Sequence, residues 1–411
     1  MIKRIKIKLS KDNVINNQYS KNDFEEMIII SFSMSYKDRL CETSNEIKKY
    51  VIESDSIELY GDYDEILYFL ENNLEIENKK IIIGFDLEFD KRQLGLIEQK
   101  FSKFNVEVYV KGNLLPVSLD TYRKTVLEIE NIENKIKSYN FSPLEMLIYV
   151  YDYVRNRIYN KEDELEATAV SRSVSSVLFG NKIVCGGFAN LFKVILDRLG
   201  IKNEIVNLVE NDHSGHARNI VYLIDKKYNL SLVSFFDTTF DSKKSEEDRS
   251  FLYSYKHFGR SLNEFELVDQ NDGFDYLIDE KYKIFNLDYL LELEDIISNS
   301  DDKETINGVS LIVNNAFLIL GLDNVLLNIN KKNLLDKIDI LKKLISNEIN
   351  LFLFIKALMV VRSAQEKENI NLYRFKIEDY YEVMKNFKMF VNNEDIKVLR
   401  FIFEDEKNKR I

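Results

Sequence analysis

The stretch from residue 181 to residue 242 constrains the fold of this chain most, because it prescribes one helix and the strands that follow it. After Cys185, apolar residues recur at helical spacing in the segment VCGGFANLFKVILDRLGI, and Gly200 supplies a stop signal. Three strand-like segments come next, at residues 204–209, 217–224 and 230–236. A short polar turn joins the last two. The pattern predicts an amphipathic helix packed on an antiparallel sheet.

Two glycines, Gly186 and Gly187, lie in the first turn of this helix. Glycine is a poor helix former, so its presence at a helix start needs a reason. A residue without a side chain lets another group come close to the backbone. The sequence therefore predicts a close approach to the backbone at this turn.

Three residues of this stretch carry chemistry: Cys185 at the helix start, His216 at the start of one strand and Asp237 at the end of the next. They are a thiol nucleophile, a base and a group that orients the base. A helix N-terminus and an imidazolium both favour the reactive thiolate, and the Cys185 N–H is a candidate oxyanion donor. Alone, each residue also fits a structural role, since buried cysteines are usually inert. Their conjunction favours catalysis. The sequence does not identify a second oxyanion donor.

Three segments, VCGGFAN, GHARNIVYL and FFDTTFD, resemble in this order the motifs of the transglutaminase-like superfamily, which has a papain-type cysteine fold. The matching residues are Cys185, Gly187, Phe188 and Ala189, then Gly215, His216, Ala217 and Asn219, then Asp237, Thr239, Phe240 and Asp241. The resemblance covers residues 142–260. It implies that Cys185 is the nucleophile, that His216 rather than His213 is the base, and that Asp237 rather than Asp241 orients it.

The chain departs from the family pattern at Arg218, where the family commonly has tryptophan, and it contains no tryptophan at all. Animal transglutaminases are thought to stabilise the oxyanion with a tryptophan. The expected function is therefore a cysteine-nucleophile enzyme that hydrolyses amide bonds of a peptide or protein, as a protease or deamidase, through a thioester. Amine transfer of the transglutaminase type stays open. The alternative is a non-catalytic protein-interaction module that retains the fold.

The composition limits which binding partners and which cellular compartment are expected. The chain has 411 residues, a net charge of −12 and two cysteines, Cys41 and Cys185. An acidic chain does not favour nucleic acid or an anionic membrane as partner, and two cysteines make no disulfide framework. The opening MIKRIKIKLS has no secretory h-region, and the most apolar run, residues 351–361, contains Lys356 and is expected to be a buried helix. We expect a cytoplasmic protein that needs no cofactor and no metal; its oligomeric state is open.

The fold class expected is α+β, with three domains. An α/β domain of unknown role (1–118) precedes a transglutaminase-like catalytic domain (119–260), and a mostly helical domain (261–411) follows.

Several helix signals are present, among them a capping box at Ser142–Glu145, which predicts a helix ending near Tyr159. Further helices are expected at residues 62–74, 91–104, 169–178, 334–345, 349–361, 377–390 and 395–403. No glycine-rich phosphate loop accompanies the first strands, where Gly84 stands alone, and a structural role is expected for His257.

Overall fold

The computed structural model describes residues 4–10, 19–22, 27–33, 54–72, 79–113, 115–160, 170–180, 183–210, 215–262, 276–278, 280–322, 330–367, 376–387 and 393–408. These residues form a mixed α+β protein, which confirms the general class expected from the sequence. The chain divides into two compact units. The first comprises Met1–Asn131 and Ser173–Leu178, and the second Ile132–Arg172 and Phe179–Ile411.

The first unit contains a mostly parallel sheet with helices between its strands. Its strands are β1 (Arg4–Ser10), β2 (Tyr19–Asn22), β3 (Met27–Ser33), β4 (Ser56–Tyr60), β5 (Lys80–Leu87), β6 (Val106–Val110) and β7 (Val117–Ser118). They lie in the order β2–β3–β1–β4–β5–β6–β7, and only the edge strands β2 and β7 pair antiparallel. The isoleucines at 81, 82 and 83 are all buried, as in a strand covered on both faces.

Helices α1 (Tyr63–Asn72) and α2 (Lys91–Phe101) belong to this unit, and α3 (Leu119–Ser138) contains the boundary to the second unit. The side chain of Asp90 caps α2 by accepting from the N–H groups of Arg92 and Gln93 at 2.9 and 3.0 Å. The sequence predicts α1, at residues 62–74, and α2, at residues 91–104. The short edge strands β2 and β7 had no recognised signal.

The second unit begins with α4 (Pro143–Arg155). Its capping residue Ser142 donates its backbone N–H to Glu145 Oε2 at 2.8 Å, in agreement with the predicted start. The helix ends at Arg155, before the expected end near Tyr159. The next helix, α5 (Val174–Phe179), is shorter than the predicted 169–178; its residues up to 178 belong to the first unit, and residue 169 lies outside the described part of the chain.

The long helix α6 (Cys185–Arg198) and the strands β8 (Lys202–Glu210), β9 (Gly215–Asp225), β10 (Leu230–Phe236) and β11 (Tyr276–Ile278) form the centre of the second unit. The strands form an antiparallel sheet in the order β10–β9–β8–β11. The apolar face of α6 contacts β8 and β9, and Asn219 Nδ2 donates to the Ala189 carbonyl at 3.1 Å. Gly200, with φ of +75°, ends the helix as predicted.

The remaining helices are α7 (Leu287–Asn299), α8 (Lys303–Ile319), α9 (Lys331–Ser346), α10 (Leu351–Lys367), α11 (Ile377–Phe387) and α12 (Asn393–Asn408). The apolar run 351–361 lies in α10, where most of its side chains are buried, as predicted. One hydrophobic core joins Val206, Ile220 and Phe235 of the sheet to α7, α8 and α9. The predicted boundaries at 118 and 260 stay predictions.

A buried ionic cluster ties α10 to α4. The Asp152 carboxylate lies 2.6 Å from Arg155 and 3.0 Å from Arg362, and it accepts from the Tyr255 hydroxyl at 2.7 Å.

Within the described residues, no single helix has the length and hydropathy to cross a membrane; α9 and α10 meet those limits only as a pair bent by 63°.

Candidate active site

Cys185 is the first residue of α6 and is partly exposed. The preceding Val184 has extended backbone, and its carbonyl accepts from the N–H groups of Gly187 and Phe188 at 2.9 and 3.3 Å. The Cys185 N–H is one of the helix-start donors that lack an intrahelical acceptor. The helix dipole favours a negative charge here, so this position suits both a thiolate and an oxyanion.

His216 lies near the start of β9, and its side chain is buried. Its Nε2 is 2.6 Å from Asp237 Oδ2, and the ring is also hydrogen-bonded to the Cys185 thiol. Because Nε2 faces Asp237, Nδ1 is the nitrogen left for the thiol. The structure thus brings together all three residues that the sequence singled out.

Asp237 follows β10 directly, and its buried carboxylate has four polar neighbours. Oδ1 accepts from the backbone N–H groups of Thr239 and Phe240 at 2.8 and 3.0 Å. Oδ2 lies 2.6 Å from His216 Nε2 and 2.8 Å from Arg218 Nε. Burial raises the pKa of the Asp237 carboxyl, but His216 and Arg218 outweigh it and hold that pKa well below its usual range. The group is therefore a fixed anion.

The protonation of the thiol and the imidazole depends on this anion. Burial raises the pKa of the Cys185 thiol, but the hydrogen bond and charge of His216 outweigh burial, so the pKa is lowered overall. Burial lowers the pKa of His216, but the charge and hydrogen bond of Asp237 raise it to about 9. Each shift favours the charged form of its group, and the two groups titrate as a coupled pair. The arrangement favours the thiolate–imidazolium pair over the neutral thiol and imidazole.

Arg218 is the site residue whose role the sequence reasoning missed. It lies two positions after His216 in β9, so both side chains project from the same face of the strand. Its side chain is fully buried, ion-paired with Asp237, and its guanidinium lies 5.3 Å from the centre of the Phe240 ring. Its position two residues after His216 in a predicted strand was the signal that could have placed it on the same face as the base.

Phe240 and Asp241 support the site from the turn after Asp237. The Phe240 ring stacks on His216 with the ring centres 4.7 Å apart. The Asp241 carboxylate accepts from the Tyr151 hydroxyl at 2.7 Å and from the His257 backbone N–H at 3.0 Å. Asp241 therefore holds the turn, whereas Asp237 contacts His216. His213, the other histidine considered as a base, lies outside the described residues.

The close approach predicted at the first turn of α6 occurs at Gly186. A β-carbon there would lie 3.1 Å from Cγ of Arg172, whose side chain passes over this glycine. Arg172 itself is exposed. The glycine indicated that something approaches, but no pattern in the sequence identified Arg172.

Within the part of the chain that the structure describes, no group of three or more His, Cys, Asp or Glu side chains is arranged to hold a metal ion. No model of a known protein family matches this sequence, and no curated protein matches it. The catalytic roles of Cys185, His216 and Asp237 are predictions that rest on the motifs and on the geometry described above.

Proposed function

We propose that this protein is a cysteine-nucleophile enzyme of the transglutaminase-like superfamily that acts on amide bonds of a peptide or protein. One observation carries the proposal. A thiol at a helix N-terminus is hydrogen-bonded to His216, and the Nε2 of His216 lies 2.6 Å from the buried Asp237 carboxylate. This is the arrangement of nucleophile, base and orienting group that thiol acyl transfer needs.

The proposed reaction has two halves. The Cys185 thiolate attacks the amide carbon, and the oxyanion that forms lies near the Cys185 N–H at the helix start. The imidazolium of His216 then donates its proton to the amine as the C–N bond breaks, which leaves a thioester. In the second half His216 takes a proton from water, water attacks the thioester, and the C–S bond breaks to release a carboxylic acid and the thiolate.

We propose hydrolysis rather than amine transfer as the main reaction. The chain has no tryptophan, so an indole cannot stabilise the oxyanion. Arg218, at the position of the family's tryptophan, pairs with Asp237. Water is also the less demanding acyl acceptor. A cytoplasmic setting belongs to the proposal, because a reducing compartment keeps a thiol nucleophile free.

The test is turnover of a peptide mixture rich in glutamine and asparagine, in heavy-oxygen water with added methylamine. Mass spectrometry separates the outcomes, since hydrolysis puts heavy oxygen into a new carboxyl group and amine transfer adds methylamine. We expect mainly heavy-oxygen incorporation by the full chain and none by the Cys185→Ala variant. Incorporation that persists in this variant would contradict the assignment of the nucleophile. A folded wild type that incorporates neither label would favour the interaction-module alternative.

A further inference from the structure

The backbone at Arg172 is fixed beside the start of α6 by two hydrogen bonds. The Val184 N–H donates to the Ser171 carbonyl at 3.2 Å. The Asn190 side-chain Nδ2 donates to the Arg172 carbonyl at 3.0 Å. Asn190 lies in the second turn of α6, so the segment is held on both sides of the helix start.

The Arg172 side chain extends from this fixed backbone over Gly186, the residue that follows the nucleophile. A β-carbon at Gly186 would lie 3.1, 3.3 and 3.5 Å from Cγ, Cβ and Cδ of Arg172. A larger residue than glycine would therefore compete with the arginine for this space. The glycine in the first turn, unfavourable for a helix, accommodates the arginine stem.

Arg172 is exposed, and its guanidinium forms no ion pair with any of the described residues. The other site charges offset each other, because Cys185 pairs with His216 and Asp237 pairs with Arg218. Among the described residues, Arg172 thus adds a positive charge without a counter-ion beside the first turn of α6, in a chain whose net charge is −12.

We propose that Arg172 is a specificity-determining residue that binds a carboxylate of the substrate close to the amide attacked by Cys185; this rests on the proposed function. A guanidinium presents a planar fork of donors that matches a carboxylate. An extended peptide advances about 3.4 Å per residue, so substrate residues next to the amide bond attacked by Cys185 lie close to residue 186. The carboxylate belongs to an acidic side chain or to the peptide's C-terminus.

The experiment compares alkylation of Cys185 by matched peptide probes in the full chain carrying Cys41→Ser. The probes are chloroacetyl-Gly-Glu amide, chloroacetyl-Gly-Gln amide and chloroacetyl-Gly-Gln with a free C-terminal carboxylate. The sulfur forms a C–S bond as chloride leaves with the C–Cl electron pair, so no turnover is needed. Intact-mass measurement gives the rate for each probe.

We expect a carboxylate-bearing probe to label Cys185 about two- to fivefold faster than the neutral Gln amide at low salt, the scale of an exposed ion pair. High salt should weaken the preference. Arg172→Gln should abolish the preference, measured within each variant as the ratio of the carboxylate-probe rate to the neutral-probe rate, and Arg172→Lys should retain part of it. The matched control is Arg400→Gln, which removes an exposed charge from α12 and should leave the preference intact.

The two carboxylate probes show whether an acidic side chain or a chain end is recognised. Equal rates for all three probes in the wild type, or a preference that survives Arg172→Gln, would overturn the inference while leaving the nucleophile in place. If the neutral probe labels Cys185 no faster than the same thiol in urea-unfolded chain, the proposed function itself fails.

Discussion

Replacing Asp237 by Asn removes the anion on which both the imidazolium and Arg218 depend. The pKa of His216 is raised from 6.5 to about 9, largely by Asp237, which corresponds to a preference of roughly 3 kcal/mol for the imidazolium. Without that anion, His216 is protonated less often near neutral pH, so the Cys185 thiolate loses most of the positive charge that stabilises it. We expect alkylation of Cys185 near neutral pH to slow by one to two orders of magnitude.

The same substitution also affects stability, because Arg218 is fully buried and has Asp237 as its counter-ion. Leaving a buried charge without its partner costs about 3–5 kcal/mol. The double variant Asp237→Asn/Arg218→Gln removes both charges. It should therefore be more stable than the single variant and yet be alkylated just as slowly.

The assay measures two quantities on each variant: the free energy of unfolding in urea, followed by circular dichroism, and the alkylation rate of Cys185 in the Cys41→Ser background. A single variant as stable as the wild type would refute the buried ion pair. A single variant alkylated at the wild-type rate would refute the role of Asp237 as the orienting group.

Three other measurements test the charges of the site and the backbone at two glycines. Turnover should fall on the alkaline side near pH 9 as the imidazolium loses its proton, and on the acid side as the thiolate is protonated, which a pH profile of kcat/KM checks. Cys185 contributes to the raised pKa of His216, so in the Cys185→Ser variant this pKa should lie above 6.5 but below the wild-type value of about 9. The raised pKa stabilises the fold fully below pH ~6.5, and this stability is lost as pH rises through the folded-state pKa. Urea unfolding should show a loss of less than about 3 kcal/mol, which His216→Gln removes. Gly200→Ala should lower the free energy of unfolding by about 1–2 kcal/mol, because the backbone φ there is +75°. Gly308→Ala should raise it by about 0.5–1 kcal/mol, because a β-carbon there meets no neighbour within 4 Å and alanine is the better helix former. A Gly308 variant of lower stability would contradict the second expectation.

Local patterns predicted much of the second unit because its signals lie close together in the chain. The helical spacing after Cys185, the stop at Gly200 and the strand-like run in β9 each depend on residues that lie close together in the chain. The capping box at Ser142 likewise uses two residues three positions apart. The three site residues could be named because each lies at the end of such an element.

Contacts between residues distant in the chain could not be predicted. Nothing near Arg172 shows that its side chain covers Gly186, and nothing near Arg218 shows that it shares the Asp237 oxygen with His216. Local periodicity also does not predict that the sheet and helices α7 to α9 share one hydrophobic core. These features depend on packing between elements, which a single sequence does not encode in its spacing.

Alkylation of Cys185 by limiting iodoacetamide across pH tests whether Cys185 and His216 form a thiolate–imidazolium pair. The rates are compared with and without His216→Gln, both in the Cys41→Ser background. We predict fast labelling that persists well below the usual thiol pKa of about 8.5 and that falls sharply in the His216 variant. Labelling that follows an ordinary thiol titration, with no difference between the two proteins, would contradict a thiolate–imidazolium pair at Cys185 and His216.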